Sequence, residues 1–132
     1  MRVFVDTSAL YAILDRDDAN HSRAKAELKD LLDADAVLFT TNYALVETFA
    51  LAQRRLGIEA LRLFTEALLP MFEVYWVSVA EHGNALASVL TANRRELSFV
   101  DCVSFQVMRD LELRAAFAFD AHFSEQGFEL RP

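Results

Sequence analysis

Residues 1–9 read M-R-V-F-V-D-T-S-A, and the fold turns on them. Val3, Phe4 and Val5 form an unbroken apolar run with two β-branched members, the composition of a strand buried on both faces, as in a parallel sheet. Asp6 follows at once. Thr7 and Ser8 come next, and either can cap the helix that A-L-Y-A-I-L at 9–14 would continue. The order is strand, acid, hydroxyl, helix. In open α/β sheets ligands bind just beyond the carboxyl ends of the strands, which is where Asp6 stands. A carboxylate there either meets a positive group or caps the helix that follows, because an unpaired buried charge is expensive.

Composition agrees with such a sheet. The chain has 132 residues, 54% of them hydrophobic and eleven of them Phe, enough for one domain over residues 1–132 with a real core and against disorder. Only 3 Gly and 2 Pro leave little room for a turn-rich all-β fold. The single cysteine, Cys102, excludes an internal disulfide and fits a reducing compartment. No apolar run reaches the roughly 18 residues of a membrane span, and residues 1–5 do not read as a signal peptide. The expectation is a cytoplasmic protein with no membrane partner. The net charge of −7 argues against a non-specific nucleic-acid binder working through its own lysines and arginines. It leaves open an acidic site that recruits metal ions and meets phosphate through them.

Outward from the first strand and helix, residues 15–20 (D-R-D-D-A-N) read as a solvated turn, since the spacing fails the calcium-loop pattern and lacks its glycine. His21 to Leu32 has one apolar side and predicts a helix. Val37 to Thr40 predicts a second strand. Thr41 and Asn42 offer caps for a helix from Tyr43 to Leu56, ended by Gly57. Within that helix Glu47 has Tyr43, Ala44, Ala50 and Leu51 at the neighbouring helical positions, so no local ion pair explains it. It is either a surface glutamate or a group turned toward a pocket.

Ile58 to Leu69 predicts another helix, closed by Pro70, and Val74 to Val77 a third strand. Ser78 caps a helix from Ala80 to Arg95, with His82 in its first turn as a surface or packing residue and Arg94 and Arg95 at its end, where positive charge suits the macrodipole. Ser98 followed by Asp101 resembles a capping box for a helix reaching Leu111, with Ser104 one turn after Asp101 and Cys102 a small core residue. Arg114 to Phe119 predicts a fourth strand ending in Asp120, followed by His122, Phe123, Gly127 and a short edge segment, Phe128 to Leu130.

Asp6, Glu47, Asp101 and Asp120 stand out by position. Strand C-ends and the N-ends of the following helices share one edge of an α/β sandwich, so Asp6, Asp101 and Asp120 can converge, and Glu47 can join them if its helix leans over that edge. Clustered carboxylates repel and raise one another's pKa unless a cation neutralises them. Hard Mg²⁺ or Mn²⁺ prefers such oxygen ligands, and no His or Cys cluster at zinc spacing competes. A pair of divalent ions is the usual device for in-line displacement at phosphorus. There is no phosphate-binding P-loop, no dinucleotide fingerprint and no nucleophile-elbow motif. No lysine occurs after Lys29, which removes the receiver-domain alternative.

The chain resembles the PIN-domain ribonucleases, most closely toxins of the VapC type. The matching stretches are V-F-V-D-T-S-A-L at 3–10, T-T-N-Y-A-L-V-E-T-F-A-L-A-Q-R-R-L-G at 40–57, L-S-F-V-D-C-V-S-F at 97–105 and F-A-F-D-A-H-F-S-E-Q-G-F at 117–128. They cover essentially the whole chain in the family's order. The resemblance implies a three-layer α/β/α sandwich around a mainly parallel sheet of four to five strands. It implies a Mg²⁺- or Mn²⁺-dependent endoribonuclease that forms homodimers and is held by a cognate antitoxin. It puts the family's four acids on Asp6, Glu47, Asp101 and Asp120, with Asp6 and Asp101 the principal metal ligands, and its supporting hydroxyls on Thr7 or Ser8 and on Ser104. Arg54, Arg55, Arg94 and Arg95 are candidate phosphate contacts. One departure is Ala118, where the family often has Thr.

Two other functions fit the same residues. One is a PIN-like module that binds a partner with little turnover. The other is a PIN nuclease of RNA processing outside toxin–antitoxin pairs. The spacing of the four acids in space separates the first from an enzyme.

Overall fold

The computed structural model describes residues 1–132. Five strands form one sheet: β1 (Arg2–Val5), β2 (Val37–Thr41), β3 (Phe72–Tyr75), β4 (Ala115–Phe117) and β5 (Glu129–Arg131). Their order is β3-β2-β1-β4-β5 and every neighbouring pair is parallel. β1 is therefore central, as its wholly apolar run requires. Successive side chains of a strand point to opposite faces, and β1 feeds two cores at once. Val3 and Val5 enter one core with Leu38, Ala115 and Phe117; Phe4 enters the other with Ala116 and Ala118.

The helices divide the same way. Ala9, Leu10 and Ala12 of α1 (Thr7–Leu14) and Ala24, Leu28 and Leu31 of α2 (His21–Asp33) cover the first face. Ala85 of α5 (Val79–Ala92), Val103, Phe105, Val107 and Met108 of α6 (Phe99–Asp110) and Phe123 of α7 (His122–Glu125) cover the second. This is the expected three-layer sandwich, with a sheet that is parallel throughout. α3 (Asn42–Leu56) reaches both layers: Leu45 lies in the first core and Tyr43 packs against the second.

Three local expectations change. The helix predicted over Ile58–Leu69 is α4 (Ile58–Leu63), then a wider turn over Phe64–Leu68 and a tight one over Leu69–Met71 that takes in Pro70. β3 begins and ends two residues before the predicted strand, so Trp76 lies beyond it and is 74% exposed. α5 stops at Ala92 because Asn93 adopts the left-handed conformation (φ 52°) that ends helices. Arg94 and Arg95 thus lie beyond the helix and not in its last turn.

The strand order also fixes where a ligand can sit. The connection leaving β1 leads to β2 on one side, and the one leaving β4 leads to β5 on the other. Connections that diverge from adjacent parallel strands open a crevice at their carboxyl ends. That crevice lies between Val5 and Phe117.

Candidate metal centre

Asp6 enters the crevice directly from β1. Its backbone N–H donates to Phe117 O at 3.0 Å, one step past the β1–β4 ladder. Its side chain is the N-cap of α1, one of the two roles the sequence offers it and in place of Thr7 or Ser8: Oδ2 accepts from the backbone N–H of Ser8 at 3.2 Å and from the Ser8 hydroxyl at 2.7 Å. Capping and site formation are therefore the same contact. Thr7 instead crosses to α3, its hydroxyl donating to Ala44 O at 3.4 Å.

Asp101 comes from the first turn of α6. The capping box is complete: the Asp101 N–H donates to Ser98 Oγ at 3.0 Å, and the Ser98 N–H donates to Asp101 Oδ2 at 3.2 Å. Asp120 lies three residues beyond the end of β4, not at its last position, and is held by the His122 N–H donating to Oδ1 at 2.9 Å. This turn brings the His122 ring back over the acids. Its Nδ1 lies 3.0 Å from Asp120 Oδ1 and 3.7 Å from Asp101 Oδ2, though neither contact has hydrogen-bond geometry. Ligand atoms of Asp101, Asp120 and His122 all lie within 4.8 Å of one another. The sequence carried a signal for His122: a histidine two residues after an acid can fold back through an Asx turn.

Electrostatics marks the same group. Burial pushes the Asp6 carboxyl up to about 7; the Ser8 hydrogen bonds hold it down, and the charges of Asp101 and Asp120 push it further. Asp101 is also raised, by burial first and by Asp120 second, against its bonds to Ser98 and the charge of His122. Burial and mutual repulsion disfavour the charged form of such carboxylates, and a bound cation favours it. The tight group fits one, because Asp101 and Asp120 offer the oxygen ligands that hard divalent ions prefer, with the His122 nitrogen beside them and Asp6 nearby. Ser104 adds a second sign. Its Oγ is fully buried, one turn after Asp101, and has no hydrogen-bond partner, a deficit of roughly 1–3 kcal/mol that an ion's bound water would relieve. Burial pushes the neighbouring Cys102 thiol up, so it offers no thiolate.

Glu47 sits in the middle of α3, half-buried, one turn after the Ala44 carbonyl that Thr7 engages. Neither Glu47 nor Asp6 belongs to the tight Asp101–Asp120–His122 group; Asp6 stands beside it, close enough to feel the charges of Asp101 and Asp120. Among the candidate phosphate contacts, Arg94 is bound by Glu96 and Glu125, each at 3.0 Å, and Arg55 lies over the Tyr11 ring. Arg54 and Arg95 are exposed. Ala118 is fully buried in the second core.

Ser8 is the hinge of this arrangement, since its hydroxyl also accepts from the Phe119 N–H at 3.0 Å. Ser8→Ala leaves the Phe119 N–H without its acceptor, and leaves Asp6 Oδ2 with the backbone N–H of residue 8 alone. Thermal melts should show a loss of about 1–2 kcal/mol. Calorimetric Mn²⁺ titration should show affinity lowered by roughly 10-fold or more, as for other residues that orient ligands.

Comparison with known proteins gives one family. Residues 3–129 match the PIN domain family model. The chain is 36% identical over 137 aligned positions to the 23S rRNA-specific endonuclease VapC20 of Mycobacterium tuberculosis, covering 98% of each chain. The crystal structure of VapC20, described as a Sarcin-Ricin loop cleaving toxin, superposes with a TM-score of 0.84 over 98% of this chain and 99% of that one. FitAcB from Neisseria gonorrhoeae (15% identity, TM-score 0.70, covering 100% and 97%) shares the fold. So does VapBC2 from Rickettsia felis bound to promoter DNA (10% identity, TM-score 0.73, covering 98% and 97%).

Proposed function

The chain belongs to the PIN-domain family, and from that premise we propose that it is a divalent-metal-dependent endoribonuclease, the toxin of a toxin–antitoxin pair. The observation that carries the reading is the convergence of Asp6, Asp101 and Asp120 from three separate elements on the crevice between β1 and β4. Similarity to a ribosomal-RNA endonuclease over 98% of the chain supports RNA as substrate, with ribosomal RNA the first target to try.

Asp6, Asp101 and Asp120 would hold Mg²⁺ or Mn²⁺, with Glu47 completing the set from the flank through water. When bound, the ion supplies Lewis-acid activation of water and charge stabilisation at phosphorus. The chain's own residues prepare that chemistry. Ser8 fixes the Asp6 carboxylate, Ser98 fixes Asp101, and His122 sets a positive or polar edge against Asp120. Thr7 ties α1 to α3 and so sets the distance of Glu47 from the aspartates. Ser104 contributes a hydroxyl behind Asp101. Arg54 and Arg95 are the arginines left to meet phosphate; Arg55 and Arg94 would first have to leave their partners.

The other parts of the reading follow. A toxin is kept silent by an antitoxin, so a cognate antitoxin is the protein partner. Val79, Gly83, Leu86 and Leu90 recur at helical spacing on α5, and Val79 and Leu90 are 92% and 71% exposed; a homodimer would cover this stripe. No helix is long and apolar enough to cross a membrane. A single unpaired cysteine and RNA as the proposed substrate support a cytoplasmic location.

Purified protein free of antitoxin should cleave ribosomal RNA with Mg²⁺ or Mn²⁺ and not in EDTA. Equal cleavage in EDTA, or none with either metal from a folded sample on any cellular RNA, would refute the enzyme reading.

A further inference from the structure

Three helices begin beside one another near the crevice, and each contributes an aromatic ring from its first turn. Tyr43 comes from α3, His82 from α5 and Phe99 from α6. The ring centroids lie 5.1 Å apart for His82 and Phe99, 5.8 Å for Tyr43 and His82, and 5.9 Å for Tyr43 and Phe99, all edge to face. The Tyr43 hydroxyl is hydrogen-bonded to His82 Nδ1. His82 is exposed, and Tyr43 and Phe99 are half-buried. Elsewhere three rings lie under guanidinium groups: Phe119 under Arg23, Tyr11 under Arg55 and Phe128 under Arg109. No arginine covers this cluster.

The cluster is also fixed in place. Asn42 Oδ1 accepts from the Val77 N–H at 2.8 Å, which ties the start of α5 to the start of α3. The Ser78 and Ser98 capping boxes set the first turns that carry His82 and Phe99. Its tie to the metal centre is through the chain: Phe99 lies two residues before Asp101, and Tyr43 one helical turn before Glu47. Rigid, partly exposed rings held in one geometry stack on nucleobases at little entropic cost, and proteins that grip unpaired RNA use such rings as platforms.

We propose that Tyr43, His82 and Phe99 form a base-stacking subsite that seats an unpaired nucleotide of the RNA beside the scissile phosphate. The proposal rests on the endoribonuclease reading. It adds that RNA with bases splayed out is preferred to continuous duplex. It also gives a chain of net charge −7 a source of affinity for RNA, stacking, that does not depend on charge.

The test has two parts on the full chain. Total cellular RNA is bound in EDTA and irradiated with ultraviolet light, and the adducts are mapped by mass spectrometry. They are expected on Tyr43, His82 or Phe99. Cleavage of the same RNA with Mn²⁺ is then followed for Tyr43→Ala, His82→Ala, Tyr43→Phe and His82→Phe, with Asp101→Asn as the inactive control. The alanine variants should raise the apparent KM by roughly 5- to 150-fold, the loss of one stacked base, with kcat little changed. The phenylalanine variants keep the ring, lose the Tyr43–His82 hydrogen bond and should stay near wild type. Alanine variants with wild-type KM, phenylalanine variants as poor as alanine, or adducts confined elsewhere would overturn the subsite. Metal-dependent cleavage, lost in Asp101→Asn, would persist in those cases and keep the enzyme reading intact. Wild-type protein that neither cleaves nor crosslinks would remove both.

Discussion

Asp6→Asn is expected to abolish RNA cleavage while leaving metal-free protein more stable than wild type. The two effects come from one group. Asn is isosteric with Asp and is itself a favoured N-cap, so its side-chain oxygen can still accept from the Ser8 N–H and hydroxyl, as Asp6 Oδ2 does at 3.2 and 2.7 Å. The start of α1 is therefore retained. What disappears is a charge held at 4% exposure beside Asp101 and Asp120. Without a cation that charge is a burden; with one it is a ligand. Cleavage in Mn²⁺ should fall by on the order of 10³-fold, the scale on which single preorganised electrostatic groups act in catalysis. Asp101→Asn should behave alike, because an Asn oxygen can still accept from the Ser98 N–H. Initial rates with Mn²⁺, paired with melting curves in EDTA, test both halves. Both variants cleaving at the wild-type rate would refute the metal-centre assignment. Variants that lose the fold would refute the statement that the caps survive.

In EDTA the wild-type chain should lose stability as pH rises, and Mn²⁺ should reverse the loss. The Asp6 carboxyl titrates at about 7 in the folded chain against 3.8 as its ordinary value, so the folded state binds its proton more tightly than the unfolded state does. Favourable protonation is fully present below about pH 4 and is lost as pH climbs through 7. The gap is about three pH units, worth roughly 4 kcal/mol between acid and neutral conditions, or a shift on the order of 10 °C in melting temperature. Asp101 is shifted in the same direction and adds to the trend. Other groups titrate over this range too, so the informative quantity is the difference between wild type and Asp6→Asn. That difference should be near zero at pH 4 and largest at pH 8. Mn²⁺ at about 100 times its dissociation constant should restore roughly 2.7 kcal/mol, with proton release visible as a buffer-dependent binding heat. A wild-type melting temperature no lower at pH 8 than at pH 5, relative to the variant, would contradict the raised carboxyl.

The order of elements was legible residue by residue. Val3-Phe4-Val5 announces a central strand because only a strand covered on both faces is apolar at successive positions. Thr41, Ser78, Ser98 and Gly57 mark helix ends, since capping is satisfied within a few residues. Each was found at the expected end. Local reading leaves the choice open where adjacent groups can serve equally. Asp6, Thr7 and Ser8 can each cap α1, and the choice of Asp6 came from Ser8 being engaged by Phe119, 111 residues away. Leu63 to Leu69 has helical composition, yet the α-helix stops at Leu63 and gives way to a wider turn over Phe64–Leu68, where Phe64 is drawn into the first core.

The sequence by itself determined the chemistry available: four acids placed after strands and within helices, no cluster of His or Cys at zinc spacing, and a parallel α/β frame. These depend on side-chain type and short-range periodicity, which the chain carries locally. Only the tertiary structure decided which of these groups meet. It put Asp120 next to Asp101 by letting the chain run three residues past β4, and it folded His122 back over both. It left Glu47 on the flank, spent Arg94 on two glutamates and gathered Tyr43, His82 and Phe99 from three helices. Such meetings depend on sheet order and on the direction of each connection. No local pattern encodes either, because contacts between residues tens of positions apart are set by the packing of the whole chain.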